Sequence, residues 1–287
     1  MLRLRPRASV AVAPLLAILL AGCYAPKIAL RRSYHPSDAD LSVTRLVHGS
    51  VILDFHGTRI LVDPWYSPTF PVGLGAEVGL ALDKLPRMQA ILITHRHSDH
   101  LDEDTLRSYR DKTVQVIVPP GLAGKLRGLG YRRVTELELW EQTLVGKTLV
   151  IAVPARHSVR ENGYILQANK VTAYVAGDTR FDPKLFWSIT EAFPKIDVAL
   201  LPVGGIRYFG ALLDMTPDEA ARAFGILKPH RVIPYHYEMI GPLPMLIANG
   251  EAAADFVKSI ERRFPGSSSA VIRLDPGESW HFYALGS

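Results

Sequence analysis

The run His95-Arg96-His97-Ser98-Asp99-His100 constrains this chain more than any other feature, because it stands directly after the apolar stretch Ala90-Ile91-Leu92-Ile93-Thr94. A short apolar run bounded by polar residues is the mark of a buried strand. The histidines and the aspartate therefore occupy a loop at that strand's end, where a rigid support lets their side chains converge on one point. Imidazole and carboxylate without thiolate suit Zn²⁺, and also Fe, Mn or Ni. His95 and His97 can share one ion while Asp99 and His100 turn toward a second. A solvated polar loop has no need of four such groups in six positions.

The pattern of an apolar strand delivering a ligand type recurs downstream. Val153-Pro154-Ala155-Arg156-His157-Ser158 supplies a histidine, Ala176-Gly177-Asp178-Thr179 an aspartate, and Ile233-Pro234-Tyr235-His236-Tyr237 a further histidine. With Thr94-His95-Arg96-His97-Ser98-Asp99-His100-Leu101-Asp102, these stretches resemble, in order, the signature of the metallo-β-lactamase superfamily. The resemblance runs from Val43 to the C-terminus and implies an α+β fold, the four-layer αββα sandwich. It also implies the division of ligands: His95, His97 and His157 on a first metal, Asp99, His100 and His236 on a second, and Asp178 bridging the two. Two ions per chain are expected, zinc foremost, with Mn or Fe as substitutes. Metals about 3.5–4 Å apart bind one water between them and lower its pKa toward about 7, giving a hydroxide that attacks an ester, lactone or phosphodiester. Asp99 is the carboxylate expected both to ligate and to handle the proton. Asp63, in the strand-end pair Asp63-Pro64, resembles the family's carboxylate that orients a metal-bound histidine.

Coarse elements agree with one mixed domain over residues 43–287. Strands are predicted at Val43–Val47, Ser50–Phe55, Arg59–Val62, Val114–Val118, Leu149–Val153, Val171–Val175, Val198–Leu201, Arg231–Tyr235 and Ala270–Leu274. Asp102 reads as a helix N-cap, Leu122–Leu129 as a helix, and Thr216-Pro217-Asp218-Glu219 as a capping box opening a helix that stops near Lys228-Pro229. Ala252–Arg263 reads as the last helix.

The N-terminus reads as an address. Arg3, Arg5 and Arg7 precede an apolar run from Val10 to Ala21, shorter than the roughly 20 residues a spanning helix needs. Leu20-Ala21-Gly22-Cys23 resembles the lipobox of bacterial lipoproteins, which implies a signal peptide over residues 1–22 and acylation of Cys23. Residues 23–42 then read as a tether, and the location implied is the bacterial cell envelope, with membrane attachment through the lipid. Tyr24, in place of an aspartate, points to the outer membrane, facing the periplasm. Cys23 is the chain's one cysteine, which excludes a disulfide scaffold. Three of the five net positive charges lie in the signal segment, so bulk charge gives no reason to expect a nucleic-acid partner.

The substrate is expected to be a small molecule or a lipid. Leu85-Pro86-Arg87-Met88-Gln89-Ala90 and Asp197-Val198-Ala199-Leu200-Leu201-Pro202-Val203-Gly204 resemble two groups within the superfamily, the N-acylphosphatidylethanolamine phospholipase D relatives and the ascorbate-6-phosphate lactonase relatives. Asn162-Gly163-Tyr164-Ile165-Leu166 and His236-Tyr237-Glu238 depart from the Trp-rich and His-Trp-Gly stretches usual in the phospholipase group. Arg96, Arg160, Arg207 and Tyr208 are candidates for holding an anionic substrate. His48, in Val47-His48-Gly49-Ser50, reads as structural rather than functional, because related hydrolases place the glycine before the histidine. Two rival readings are an iron-dependent persulfide dioxygenase on the same fold and a non-catalytic envelope lipoprotein.

Overall fold

The computed structural model describes residues 33–68, 72–168, 170–242, 246–247 and 250–284. The signal segment, Cys23 and the first part of the tether lie outside them. Two sheets stack face to face. The first is built from β1 (Leu41–Val47), β2 (Ser50–Phe55), β3 (Thr58–Val62), β4 (Ala90–Leu92), β5 (Gln115–Val118) and β6 (Arg133–Glu136). The second comprises β7 (Gln142–Val145), β8 (Thr148–Pro154), β9 (Asn162–Ala168), β10 (Val171–Val175), β11 (Val198–Pro202) and β12 (Arg231–Tyr235). β13 (Ser279–Phe282) returns to the first sheet, whose order is β13-β1-β2-β3-β4-β5-β6; the second runs β12-β11-β10-β9-β8-β7.

Side-chain alternation decides which layer each residue serves. Val43, Leu53, Val62 and Leu92 from one sheet meet Ala152, Leu166, Val175 and Leu200 from the other in the central core. Ile52, Leu61, Ile91 and Val116 face the opposite way, onto Leu106 of α1 (Glu103–Ser108) and Leu126 of α2 (Ala123–Gly128). On the far side Ile151, Tyr174, Leu201 and Val232 pack under Phe186 of α3 (Pro183–Ala192), Phe224 of α4 (Pro217–Leu227) and Phe256 of α5 (Ala252–Arg263). The result is the expected αββα order. Strands buried on both faces explain why the central runs read as continuously apolar.

Caps fix the helices as the sequence predicts. Asp102 accepts from the backbone N–H groups of Asp104 and Thr105 at 3.1 and 3.0 Å. Its other oxygen ties down the loop after β3 through Tyr66 N and Ser67 N. Thr216 and Glu219 form the reciprocal capping box of α4, which ends in the left-handed Lys228.

Two expectations are corrected. The tether does not extend to residue 42: β1 starts at Leu41, Ala39 is buried, and the Tyr34 hydroxyl bonds the Asp54 carboxylate with Arg59 over its ring. The closing strand is not Ala270–Leu274. There Val271 makes a single bridge to Val232, and β13 pairs with β1 instead, Val43 opposite Trp280.

β3 to β6 run parallel, as do β10 to β12, so the C-terminal ends of β3, β4, β10, β11 and β12 lie at one edge of their sheets. Asp63, His95–His100, Asp178 and His236 follow four of these ends.

Candidate metal centre

The structure brings the seven predicted ligands together in two groups, and within each group one ligand atom per residue lies within 4.8 Å of all the others. In the first, His97 Nδ1 is 3.0 Å from both His95 Nε2 and His157 Nε2. In the second, His100 Nε2 and His236 Nε2 are 3.2 Å apart. Asp178 reaches both of these nitrogens, with Oδ2 3.1 Å from His100 and Oδ1 3.0 Å from His236. Asp99 Oδ2 closes the group at 3.3 and 3.5 Å. Asp178 Oδ2 is also 3.7 Å from His95 Nε2, so its carboxylate stands between the groups.

Outer partners fix which nitrogen each ring presents. His157 Nδ1 faces the Leu213 carbonyl oxygen at 3.0 Å, an acceptor only, so Nδ1 carries the proton and Nε2 a bare lone pair. His95 Nδ1 lies 3.1 Å from Glu161 Oε1, His100 Nδ1 2.8 Å from Asp63 Oδ2, and His236 Nδ1 2.9 Å from Asp214 Oδ2. Each ring is thereby set to aim Nε2 inward, the second-layer arrangement typical of metal-ligating histidines. Lone pairs gathered about 3 Å apart repel unless a cation sits among them. Asp178 Oδ1 is buried and lacks an aligned hydrogen bond, despite its distance from His236. The donor set therefore fits divalent cations of the zinc class.

Backbone geometry serves this convergence. His48, Asp63 and His236 all have φ in the left-handed region, at 51°, 42° and 61°. Such conformations cost energy in residues other than glycine and concentrate at functional sites. Gly177, with φ 67°, has no such cost, and a Cβ there would lie 2.4 Å from Glu161 Oε1. That close approach lets Glu161 accept the Asp178 backbone N–H at 2.7 Å.

Without a cation, protons balance the buried carboxylates. Burial lowers the His100 and His236 pKa values, but the charges of Asp178 and neighbouring carboxylates outweigh it and hold both well above the ordinary imidazole value. Burial raises Asp99 and Asp178, yet the histidines facing them hold both well below the usual carboxylate range. Burial pushes His95 down to about 3, helped by His100, and pushes Glu161 up to about 8 beside Asp178. Asp214 is likewise raised by burial, to about 6.

His48, expected to be structural, lies directly against the second group. It is fully buried with its ring 3.9 Å from that of His236. Its Nδ1 accepts the Glu238 backbone N–H at 3.1 Å, so its proton sits on Nε2, 3.6 Å from Asp99 Oδ2. Burial drives its pKa to about 3, which keeps the ring neutral. Asp63 does orient His100, and it also accepts from Thr94 N and Thr94 Oγ1 at 2.8 and 2.7 Å. Glu161 and Asp214 escaped the sequence reading; the only available signal was a carboxylate close to a strand or helix start. Arg96, Arg160, Arg207 and Tyr208 are exposed residues, with Arg160 paired to Glu138. None of them belongs to either ligand group.

The beta-lactamase superfamily domain model matches residues 58–237. A metal-dependent hydrolase of the UPF0173 group from Pyrococcus furiosus is 32% identical over 250 residues, covering 83% of this chain and 98% of the relative. Among solved structures, a "possible metal-dependent hydrolase" from Veillonella parvula superposes with a TM-score of 0.71 at 18% identity, covering 84% of this chain and 99% of that one. A metallo hydrolase from Ignicoccus hospitalis gives a TM-score of 0.67 at 21% identity, covering 85% and 99%. These two likenesses concern the fold.

Proposed function

The chain belongs to the metallo-β-lactamase superfamily and its UPF0173 group of metal-dependent hydrolases, and from that premise we propose that it hydrolyses an ester, lactone or phosphodiester with two zinc-type cations. The observation that carries this reading is the set of four histidines whose Nδ1 atoms are engaged by Glu161, Asp63, Asp214 and the Leu213 carbonyl, leaving their Nε2 atoms to converge. His95, His97 and His157 would hold one ion, Asp99, His100 and His236 the other, and Asp178 would touch both.

When bound, such cations supply Lewis acidity and bring the pKa of a water toward about 7. The protein supplies the rest. Asp99 Oδ2 faces His48, His100 and His236 at 3.3–3.6 Å and is the acceptor for the proton that the attacking water sheds. His48 Nε2, buried and without a hydrogen bond of its own among the described residues, faces that oxygen from 3.6 Å. The second group is wholly buried, whereas His97 and His157 of the first are partly open. Substrate therefore approaches over His97 and His157, and the deeper carboxylates stay shielded from bulk water.

The test is a panel of lactones, phosphodiesters and N-acyl phospholipids offered to metal-replete protein, with His97→Ala and Asp178→Ala alongside. Hydrolysis of one class, lost in both variants by more than the ~10–100-fold that outer partners carry, is the expected result. A single iron per chain with oxygen uptake on a persulfide would establish the dioxygenase reading instead. Wild-type protein no more active than the variants would favour the non-catalytic one.

Phospholipase D-like cleavage is the narrower form of the proposal, and acylation of Cys23 in the cell envelope is its companion. No helix among the described residues is long and apolar enough to cross a membrane. What supports the anchor is the basic segment, the short apolar run and the sole cysteine in Leu20-Ala21-Gly22-Cys23. A single acyl chain holds a protein to a membrane only marginally, whereas several chains on one residue anchor it stably. Metabolic labelling with a fatty-acid probe, abolished by Cys23→Ser, checks it.

A further inference from the structure

The hairpin Arg207–Leu212 is built against its own local preferences. Arg207 pairs with Leu212 and Tyr208 with Ala211, leaving Phe209 and Gly210 as a two-residue loop. Both loop residues have positive φ, 47° and 82°, the signature of a type I′ turn. Asn-Gly fills that turn without strain, whereas a bulky aromatic in the left-handed region is an outlier. Phe209 is moreover 69% exposed and Tyr208 42%, their rings in edge contact at 4.7 Å. Neither the turn nor the core gives a reason for an aromatic pair here.

Its position gives one. Two residues beyond the hairpin's second strand, Asp214 bonds His236, and between them the Leu213 carbonyl bonds His157. The hairpin thus springs from the residues that hold one histidine of each ligand group. His157 also lies on the partly open side of the centre. Along the hairpin's other edge Tyr208 pairs with Leu246, a buried residue of the segment that follows His236, so a third strand braces the hairpin. Arg207 bends back to donate to the Gly210 carbonyl at 3.1 Å, and the two aromatic rings beside it stay exposed at the tip.

We propose that Tyr208 and Phe209 form the recognition surface for an apolar portion of the substrate, an acyl or aryl chain attached to the group that the centre cleaves. The inference rests on the hydrolase reading for the identity of the site, and it adds the class of substrate. A chain lying along the two rings removes apolar area from water without altering the polar group presented to the centre. The strained turn is retained because asparagine, the better turn former, offers no such surface.

The experiment uses the full chain, metal-replete, and the variant Phe209→Asn, which relieves the turn and should leave the thermal midpoint unchanged or higher. Calorimetric titration with methyl-, butyl- and octylphosphonate measures binding without turnover. Wild-type protein should bind the octyl compound at least ~10-fold more tightly than the methyl compound, the equivalent of covering about 55 Å² of apolar surface. In Phe209→Asn that ratio should fall toward unity. An unchanged ratio in the variant, or no chain-length preference in the wild type, overturns the proposal. So does a variant that loses only its sedimentation with phosphatidylglycerol vesicles, since the tip would then serve a lipid surface. A ratio that collapses in the variant sustains the proposal even if the hydrolysis panel shows no turnover, a result that would sink the hydrolytic reading alone.

Discussion

Replacing Asp214 with asparagine should weaken one metal site and spare the other. The Asp214 carboxylate is fully buried and uses both oxygens as acceptors, Oδ1 for the Ile206 backbone N–H at 2.7 Å and Oδ2 for His236 Nδ1 at 2.9 Å. Asparagine has the same shape but only one acceptor, so its NH₂ must face one of these two donors. Facing Ile206, it leaves a buried donor unpaired, at about 1–3 kcal/mol of stability. Facing His236, it selects the opposite ring tautomer and places a proton on the Nε2 that should ligate. Outer partners of this kind carry ~10–100-fold in metal affinity, equivalent to about 1.4–2.8 kcal/mol. Competition with a chromophoric chelator should therefore show one site weakened into that range. The site of His95, His97 and His157 should titrate as in wild type, because its rings are held by Glu161 and the Leu213 carbonyl. Equal weakening of both sites, or a variant within threefold of wild type at both, would refute the reasoning.

Two further outcomes follow from the same geometry. His100 and His236 have pKa values raised above the unfolded value by Asp178 and neighbouring carboxylates, against the effect of burial. Their contribution to the metal-free fold is thus fully present below about pH 6.5 and is lost as pH rises through the raised values. Metal must displace those protons, so loading near pH 7 should release about two protons per chain and affinity should climb with pH; calorimetry in buffers of differing ionisation enthalpy counts them, and zero release would contradict the assignment. Thr216→Ala removes one half of the α4 capping box and should cost about 1 kcal/mol, read as a thermal midpoint lower by about 2–4 °C with metal content unchanged.

What the sequence made legible was the part governed by burial and chemistry together. β2, β3, β10 and β12 are rich in apolar residues and largely buried on both faces, and their runs matched the observed strands within a residue or two. β6 and β7 escaped because Arg133, Glu136, Gln142 and Leu144 are exposed, so no run of buried residues marks these edges. β13 escaped for a related reason: Ser279 and His281 face outward, and the more apolar Val271–Leu274 drew the assignment. All seven ligand candidates lie in motifs that follow apolar strands, and the structure gathers all of them. Glu161 and Asp214 could not be found this way, since each is defined by the histidine it reaches across the fold. His48 is similar: its neighbours in sequence say little, and its place against His236 and Asp99 comes from the pairing of β1 with β2.

The most direct measurement is anomalous diffraction from crystals of zinc-replete protein, collected above and below the zinc edge. Two peaks are predicted, one among the Nε2 atoms of His95 and His157 and Nδ1 of His97, the other among Asp99, His100 and His236, with the Asp178 carboxylate lying between them. A map without a peak at either cluster, or with density only at residues elsewhere on the chain, would contradict the account.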